Sequence, residues 1–498
     1  MKKYLFAVVT AALFLVLTAC GGNGNGDTGT TGAVGDGGVG AGGANVGALP
    51  PLTTAPVHLR FAKWDDIEHN QFIADRFTYH NPNITISIEN FGGTAVFHSN
   101  LLAEAAAGNM PDLWAKLEIS TPIVNGWFYD FSDLWFNDPD VEWYLEALRP
   151  QGVIDGRAIM IVTEYLPAVV YLDRAVFERL NVPMPRFNWT YEEMLHLIEY
   201  MTRPADGIFG ANWFVSPITI APIALTGGHA EFGWDGQNLN MRGPWADAVN
   251  WVAQAQRLGW VAEYGSPEWE ALTGDAHLWP GVSGRIAMQL DAFWTMNNIY
   301  MRDHYRIERG LDMIPYTMPV GADAPNNNKI AFLDFAAISA GTRHPREAYE
   351  VLKWMSFMPE AWMYRIYDFP RRLMEDGEPM YLMPNHIPVT TCEDVWNAFF
   401  YLLPIPEGDQ FMYDAWRAFL RYSREPVTWG GRVLPGFDQW VHEVYHNGEF
   451  NGVIGIETAV FEGLADAHDF AADLEASFRP FYDSMMAEFR LWMGPPRQ

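Results

Sequence analysis

Apolar and polar positions alternate with period two over Val57 to Phe61 and again over Ile84 to Ile88. Between and after these runs the apolar residues recur every three to four positions, as Phe72, Ile73 and Phe77 do. Strand and helix periods that take turns along one chain predict an α/β fold. Local signals agree most fully between Asp155 and Met201. There Ala158 to Val162 is an apolar run too short for a helix, Pro167 interrupts the chain, and Ala168 to Leu172 suits a buried strand. Two strands are therefore expected to meet at a bend. Arg174 to Leu180 then turns helical, Pro183 and Pro185 forbid its continuation, and Thr190 with Glu193 spells a capping box before a helix from Tyr191 to Met201. Elsewhere the pattern predicts an Ala-rich helix from Leu101 to Met110 closed by Gly108, and a strand from Ala331 to Ala340. A helix from Pro345 to Phe357 follows, with Ala348, Val351, Leu352 and Met355 on one face.

Composition changes this picture mainly at the N-terminus. With 498 residues, 49% hydrophobic and 15% aromatic, the chain can bury more than one core. Lys2 and Lys3 precede an apolar run from Tyr4 to Leu17 that is too short to span a bilayer, so residues 1–19 read as a signal peptide. Leu17, Thr18, Ala19 and Cys20 resemble the lipobox of bacterial lipoproteins, which implies that cleavage leaves Cys20 as a diacylated N-terminus. Residues 20–55 are rich in Gly, Asn, Thr and Ala; they bury too little apolar surface to order themselves and read as a flexible tether. The second of the 2 cysteines is Cys392, so with Cys20 lipidated no intramolecular disulfide can form. A formal charge of −29 argues against nucleic acid as a partner and against polybasic docking on a membrane; contact with the membrane would come through the lipid.

Candidate chemistry gathers at predicted strand ends. The first strand runs into Lys63, Trp64, Asp65 and Asp66, and in open α/β sheets ligands bind beyond the carboxyl ends of strands. The same acids could instead cap the helix that follows. Trp114, after Pro111 and Asp112, could serve a site or simply fill a core. His442, Glu443 and His446 match H-E-x-x-H, a zinc motif when a third ligand completes it, but they flank the apolar face of Trp440, Val441, Val444 and Tyr445, and Asn447-Gly448 ends that helix at once. No G-x-S-x-G or P-loop occurs, and adjacent acids such as Glu192 and Glu193 are expected by accident among 61. No catalytic residue, metal or cofactor is nominated; a lipid-anchored hydrolase, with zinc at His442 and His446 or with paired carboxylates, and a surface adhesin or sensor subunit are the alternatives.

Several of these stretches together resemble the family 1 extracellular solute-binding proteins of ABC importers, the maltose- and oligosaccharide-binding type. Tyr171, Asp173, Arg174 and Phe177, then Trp189 and Glu193, follow the family's first passage between lobes, and NPNITISIE its second strand. AAGNMPDLW and GRIAMQLDAFWTMNN are similar to two further family motifs, the second departing at Asp291-Ala292-Phe293, where glycine is usual. Asp312 to Met318 with Gly321, and Phe369-Pro370-Arg371, resemble family loops. The resemblance implies a periplasmic-binding-protein-like α/β fold of two lobes joined by hinge crossings, with a ligand cleft between them. Lobe 1 would take residues 56–162 plus about 335–383, and lobe 2 residues 163–334 plus about 384–498. It implies capture of a carbohydrate without chemistry, delivery to the transmembrane permease of an ABC transporter, and a cleft served by Trp64, Asp65, Trp114, Lys116, Glu164, Trp294, Asp334, Arg371 and Trp396.

Overall fold

The computed structural model describes residues 49–497 apart from 117, 229–230, 263, 297–309, 322–328, 369–383, 404, 425–426 and 430–432. Cys20, the signal peptide, most of the tether and Arg371 lie outside the described residues.

The alternating run after the tether forms β1 (Val57–Lys63), which pairs in parallel with β2 (Ile84–Asn90) and β3 (Leu113–Lys116). A two-stranded hairpin, β4 (Val153–Ile154) and β5 (Arg157–Ala158), precedes the long strand β6 (Met160–Asp173). Then come β7 (Phe209–Trp213), β8 (Ile286–Ala292), β9 (Met313–Thr317), β10 (Lys329–Ile338) and β11 (Val427–Trp429). The strand order is β2-β1-β3-β10-β6-β8-β7, with β9 also on β6 and β11 on β10. Helices between the strands bury their apolar faces on the sheet, as Pro345–Ser356 does; its Trp354 indole donates to the Ile73 carbonyl at 2.9 Å, tying it to the helix Ile67–His80.

β6 is the organising element, and here the structure corrects the sequence reading. The two strands expected to meet at a bend are one strand of 14 residues, all buried. Its first half, Met160 to Pro167, pairs antiparallel with β10, while Ala168 to Asp173 lies between β8 and β9. Pro167 falls where the partners change, so its missing N–H is lost at the one place where a continuous ladder is not required. Before it the strand belongs to the half built on β1, β2 and β3, and after it to the half built on β7, β8 and β9. The capping box at Thr190 and Glu193 forms as expected, with both reciprocal bonds present.

The chain beyond Asn385 serves both halves. The helix Ala467–Met493 starts against the helix Ala246–Arg257, where Asn250 donates to Asp466 at 2.8 Å. It ends over the β4–β5 hairpin, where Arg490 donates to Asp155 at 2.6 Å.

Candidate functional site

The alternation that makes β1 a strand places Leu59, Phe61 and Lys63 on one buried face, so a lysine stands where a core residue belongs. A charged group there must find a partner. It finds Glu164 on β6, and the Lys63 ammonium and Glu164 carboxylate form an ion pair with both side chains almost wholly enclosed. Asn70 accepts a second bond from Lys63 at 3.4 Å. Across the β6–β10 ladder Glu164 is paired with Asp334, and a register shift follows at Phe335. Three carboxylates nominated from the sequence, Asp65, Glu164 and Asp334, are thus gathered around Lys63.

Burial dominates the protonation of this cluster, and neighbouring charge decides each case. Burial alone would lower the Lys63 pKa, yet Glu164 and Asp65 raise it above its usual value, so the ammonium is charged. Burial would raise that of Glu164, yet Lys63 holds it below the ordinary range. Asp65 has no such relief: burial, with Glu164 and Asp334 adding repulsion against the pull of Lys63, pushes it up to about 8. Two groups that sequence reasoning missed complete the floor. Arg365 is buried and lowered to about 10 by desolvation against the pull of Glu164, and His386 is lowered by burial to about 4 and is neutral. Asp65 Oδ1, Arg365 Nη1 and His386 Nδ1 have no hydrogen-bond partner among the described residues. The helix cap expected of Asp65 or Asp66 is not made by a side chain: Asp66 holds the cap position in a left-handed conformation (φ 43), and its carboxylate accepts from Asn385 at 3.2 Å.

An aromatic wall adjoins this floor. Trp294 follows β8 in the turn Phe293–Thr295, half-buried, with its ring edge-on to Phe214 at 5.3 Å and tilted against Phe332 at 4.8 Å. Phe214 is 63% exposed. Phe332 stands two residues before Asp334 on β10, hence on the same face of that strand, so one strand carries a member of the wall and a member of the floor. Neither phenylalanine was expected from the sequence. The signal available for Phe332 was its period-two relation to Asp334; Phe214 sits just past the end of β7, a strand the sequence reading had not drawn.

The remaining nominated residues sit apart from the cluster or cannot be placed in it. Trp64 is buried edge-on against Phe97 at 5.1 Å. Trp114 has no exposed surface; it packs against Phe128 at 5.2 Å, and its indole N–H has no acceptor among the described residues. Trp396 lies in a groove of about 550 Å³ whose lining includes none of Lys63, Asp65, Glu164 and Trp294. Its indole donates to Thr390 at 2.7 Å and the Arg424 guanidinium lies 4.1 Å over its ring. Lys116 is on β3 opposite Phe335, with its side chain outside the described set. The H-E-x-x-H segment is a wide π-helical turn in which Asn447 contacts the His442 ring at 3.0 Å and Tyr445 is buried. No group of three or more metal-ligating side chains occurs among the described residues.

Residues 70–359, more than half of the chain, match the family model of the bacterial extracellular solute-binding proteins. The chain belongs to that family. Solute-binding proteins of this kind are binding components of importers and not enzymes, which sets the hydrolase alternatives aside. Solved structures agree in fold. An ABC substrate-binding protein from Listeria monocytogenes in complex with cycloalternan is 14% identical, with a TM-score of 0.59 over 85% of this chain and 98% of that one. A sugar transporter from Rhizobium etli, in an open conformation, is 13% identical with a TM-score of 0.60, covering 85% and 99%. A receptor of Streptomyces glaucescens, solved unliganded and with acarbose, is 12% identical with a TM-score of 0.58, covering 86% and 99%. Comparison with curated proteins gave no match.

Proposed function

We propose that this solute-binding protein captures a carbohydrate, most simply a neutral or mildly cationic oligosaccharide, and delivers it unaltered to the permease of an ABC transporter. A diacylated Cys20 and the glycine-rich tether would hold it at the outer face of the cell membrane. The observation that carries this reading is the sharing of β10 by Phe332 of the aromatic wall and Asp334 of the charged floor. A sugar ring has the matching anatomy, with C–H faces that lie on aromatic rings and hydroxyl edges that satisfy buried acceptors and donors. Asp65 Oδ1, His386 Nδ1 and Arg365 Nη1 supply both kinds. Asp65 and Lys63 come from the first half of the molecule, Trp294 and Phe214 from the second, and β6 and β10 run between them, so closure would turn about those strands. Cycloalternan and acarbose in the structural neighbours are consistent with such a ligand.

The test is a thermal-shift screen of a sugar panel that includes raffinose, maltotriose and acarbose, beside amino acids and peptides. A sugar at a hundred times its dissociation constant should stabilise the fold by about 2.7 kcal/mol. Stabilisation by peptides with none by any sugar, or conversion of the sugar during incubation, would refute the reading.

A further inference from the structure

The chain carries 61 acidic residues against 32 basic ones, yet one groove inverts that balance. It is the groove of about 550 Å³ that holds Trp396, between the helices Glu393–Phe400 and Gln410–Tyr422, and its lining has three arginines and one glutamate. Tyr413, Arg417 and Arg421 follow at four-residue spacing and so share one face of the second helix, while Asn397 and Phe400 line the groove from the first. The three arginines differ in their surroundings. Arg424 is already neutralised: it donates to both carboxylate oxygens of Glu393, at 2.5 and 3.3 Å, with its guanidinium over the Trp396 ring. Among the described residues neither Arg417 nor Arg421 meets a carboxylate, and Arg417 donates to the Tyr413 hydroxyl at 3.2 Å. The attraction of a helix C-terminus for cations accounts for Arg421, in the last turn, but not for Arg417 one turn earlier.

The groove is also built to keep its shape. Phe399 of the first helix and Trp416 and Phe419 of the second all pack on Phe293, the Phe400 and Tyr413 rings meet edge-on at 5.1 Å, and the Tyr165 hydroxyl donates to the Ser423 carbonyl at 2.7 Å. We propose that this groove binds a small organic phosphate, with its charged group between the Arg417 and Arg421 guanidinium groups and its flat apolar body against Phe400 and Tyr413. Two uncompensated cations suit a group that carries close to two negative charges, and guanidinium forks match phosphate oxygens in pairs. The volume lies in the range of small-molecule sites, and a rigid groove loses little freedom when it is filled. The site is separate from the floor and the wall, and it stands or falls independently of the carbohydrate reading.

Isothermal titration calorimetry of the full-length protein, without sugar, at low salt and about pH 7.5, tests this with three probes: phenyl phosphate carries both features, inorganic phosphate only the charge, and phenol only the ring. Phenyl phosphate should bind roughly tenfold more tightly than either of the others, and added salt should weaken it. Its affinity should fall roughly tenfold or more in the double variant Arg417→Gln, Arg421→Gln. Both side chains are exposed, so the double variant should melt as the parent does; Arg421→Glu alone replaces it should it misfold. No binding of phenyl phosphate, equal binding of inorganic phosphate, or unchanged affinity in the folded variant would each overturn the proposal. Failure of every sugar to bind would leave this measurement intact, so the two readings fail separately.

Discussion

Replacing Asp65 by Asn should make the empty protein more stable and a worse binder. In the unfolded chain the Asp65 carboxyl titrates near the ordinary aspartate value of 3.8; in the folded protein it is pushed up to about 8. A raised carboxyl pKa means that the native state keeps a proton the unfolded state has released. Stability is therefore lost as pH rises from about 4 to about 8, and levels off above that. At 1.36 kcal/mol for each pKa unit the full effect would be about 6 kcal/mol. Glu164 and Lys63 carry part of that change, which leaves on the order of 3 kcal/mol to Asp65 itself. Asp65→Asn removes this slope: urea denaturation should find it close to the parent protein near pH 4.5 and more stable by about 3 kcal/mol at pH 8. The same change removes a charged acceptor from the floor, and a hydrogen bond to a charged group contributes about 1.5 to 3 kcal/mol, so sugar affinity at pH 8 should fall tenfold or more. A stability change that is the same at both pH values, or a loss of stability at pH 8, would refute the account of the cluster.

Two further outcomes follow from the same geometry and a third from the sequence. Trp294→Ala should weaken sugar binding by roughly tenfold while lowering stability less than the 3 to 5 kcal/mol of a fully buried tryptophan, because its ring is only half-buried; melting and titration on one sample check both. Glu164→Gln strands the buried Lys63 ammonium and should cost about 3 to 5 kcal/mol by urea denaturation, and a loss under about 1 kcal/mol would show that the pair is not enclosed as described. Cys20→Ala should abolish incorporation of labelled fatty acid and leave an unlipidated precursor; retained label would remove the lipobox argument.

What could be read from the sequence was whatever local chemistry dictates. The Thr190–Glu193 capping box, the strand from Ile84 and the helix from Pro345 are each specified within a few residues, and all three formed within a residue or two of expectation. Pro167 misled because its effect depends on a neighbour 164 positions away: inside a uniform ladder it would break the strand, whereas at Ala331 the ladder is already changing partners. The candidate site divided along the same line. Asp65, Glu164 and Asp334 could be nominated because each stands at an apolar strand's end or in its interior, where an acid needs a reason. Lys63, noticed at the end of the first strand but not nominated, followed by the same logic once Leu59 and Phe61 fixed the buried face. Arg365 and His386 could not have been found: they enter through helices and loops whose only relation to Glu164 is tertiary.

The placement of these groups also fixes how a ligand could drive closure. Glu164 and Asp334 ride on β6 and β10, the strands that run between the halves, and Lys63 is tied to Glu164 at the end of β1, so this part of the floor moves with the first half and the crossing together. Trp294 and Phe214 belong to the β7 and β8 half, and their rings meet the crossing strand β10 at Phe332. A ligand that touched the floor alone would bind open and closed forms equally and shift nothing. One that also lies on Trp294 gains contacts only when the second half has swung in, and that difference is the energy available for closure. On the proposed reading the wall would select the closed state and the floor the ligand: Asp65→Asn should lower affinity without changing the conformation of the complex, whereas Trp294→Ala should leave a measurable share of sugar-bound molecules open. Small-angle scattering of both variants at saturating sugar separates the two, and an equally closed complex in Trp294→Ala would refute the division of labour.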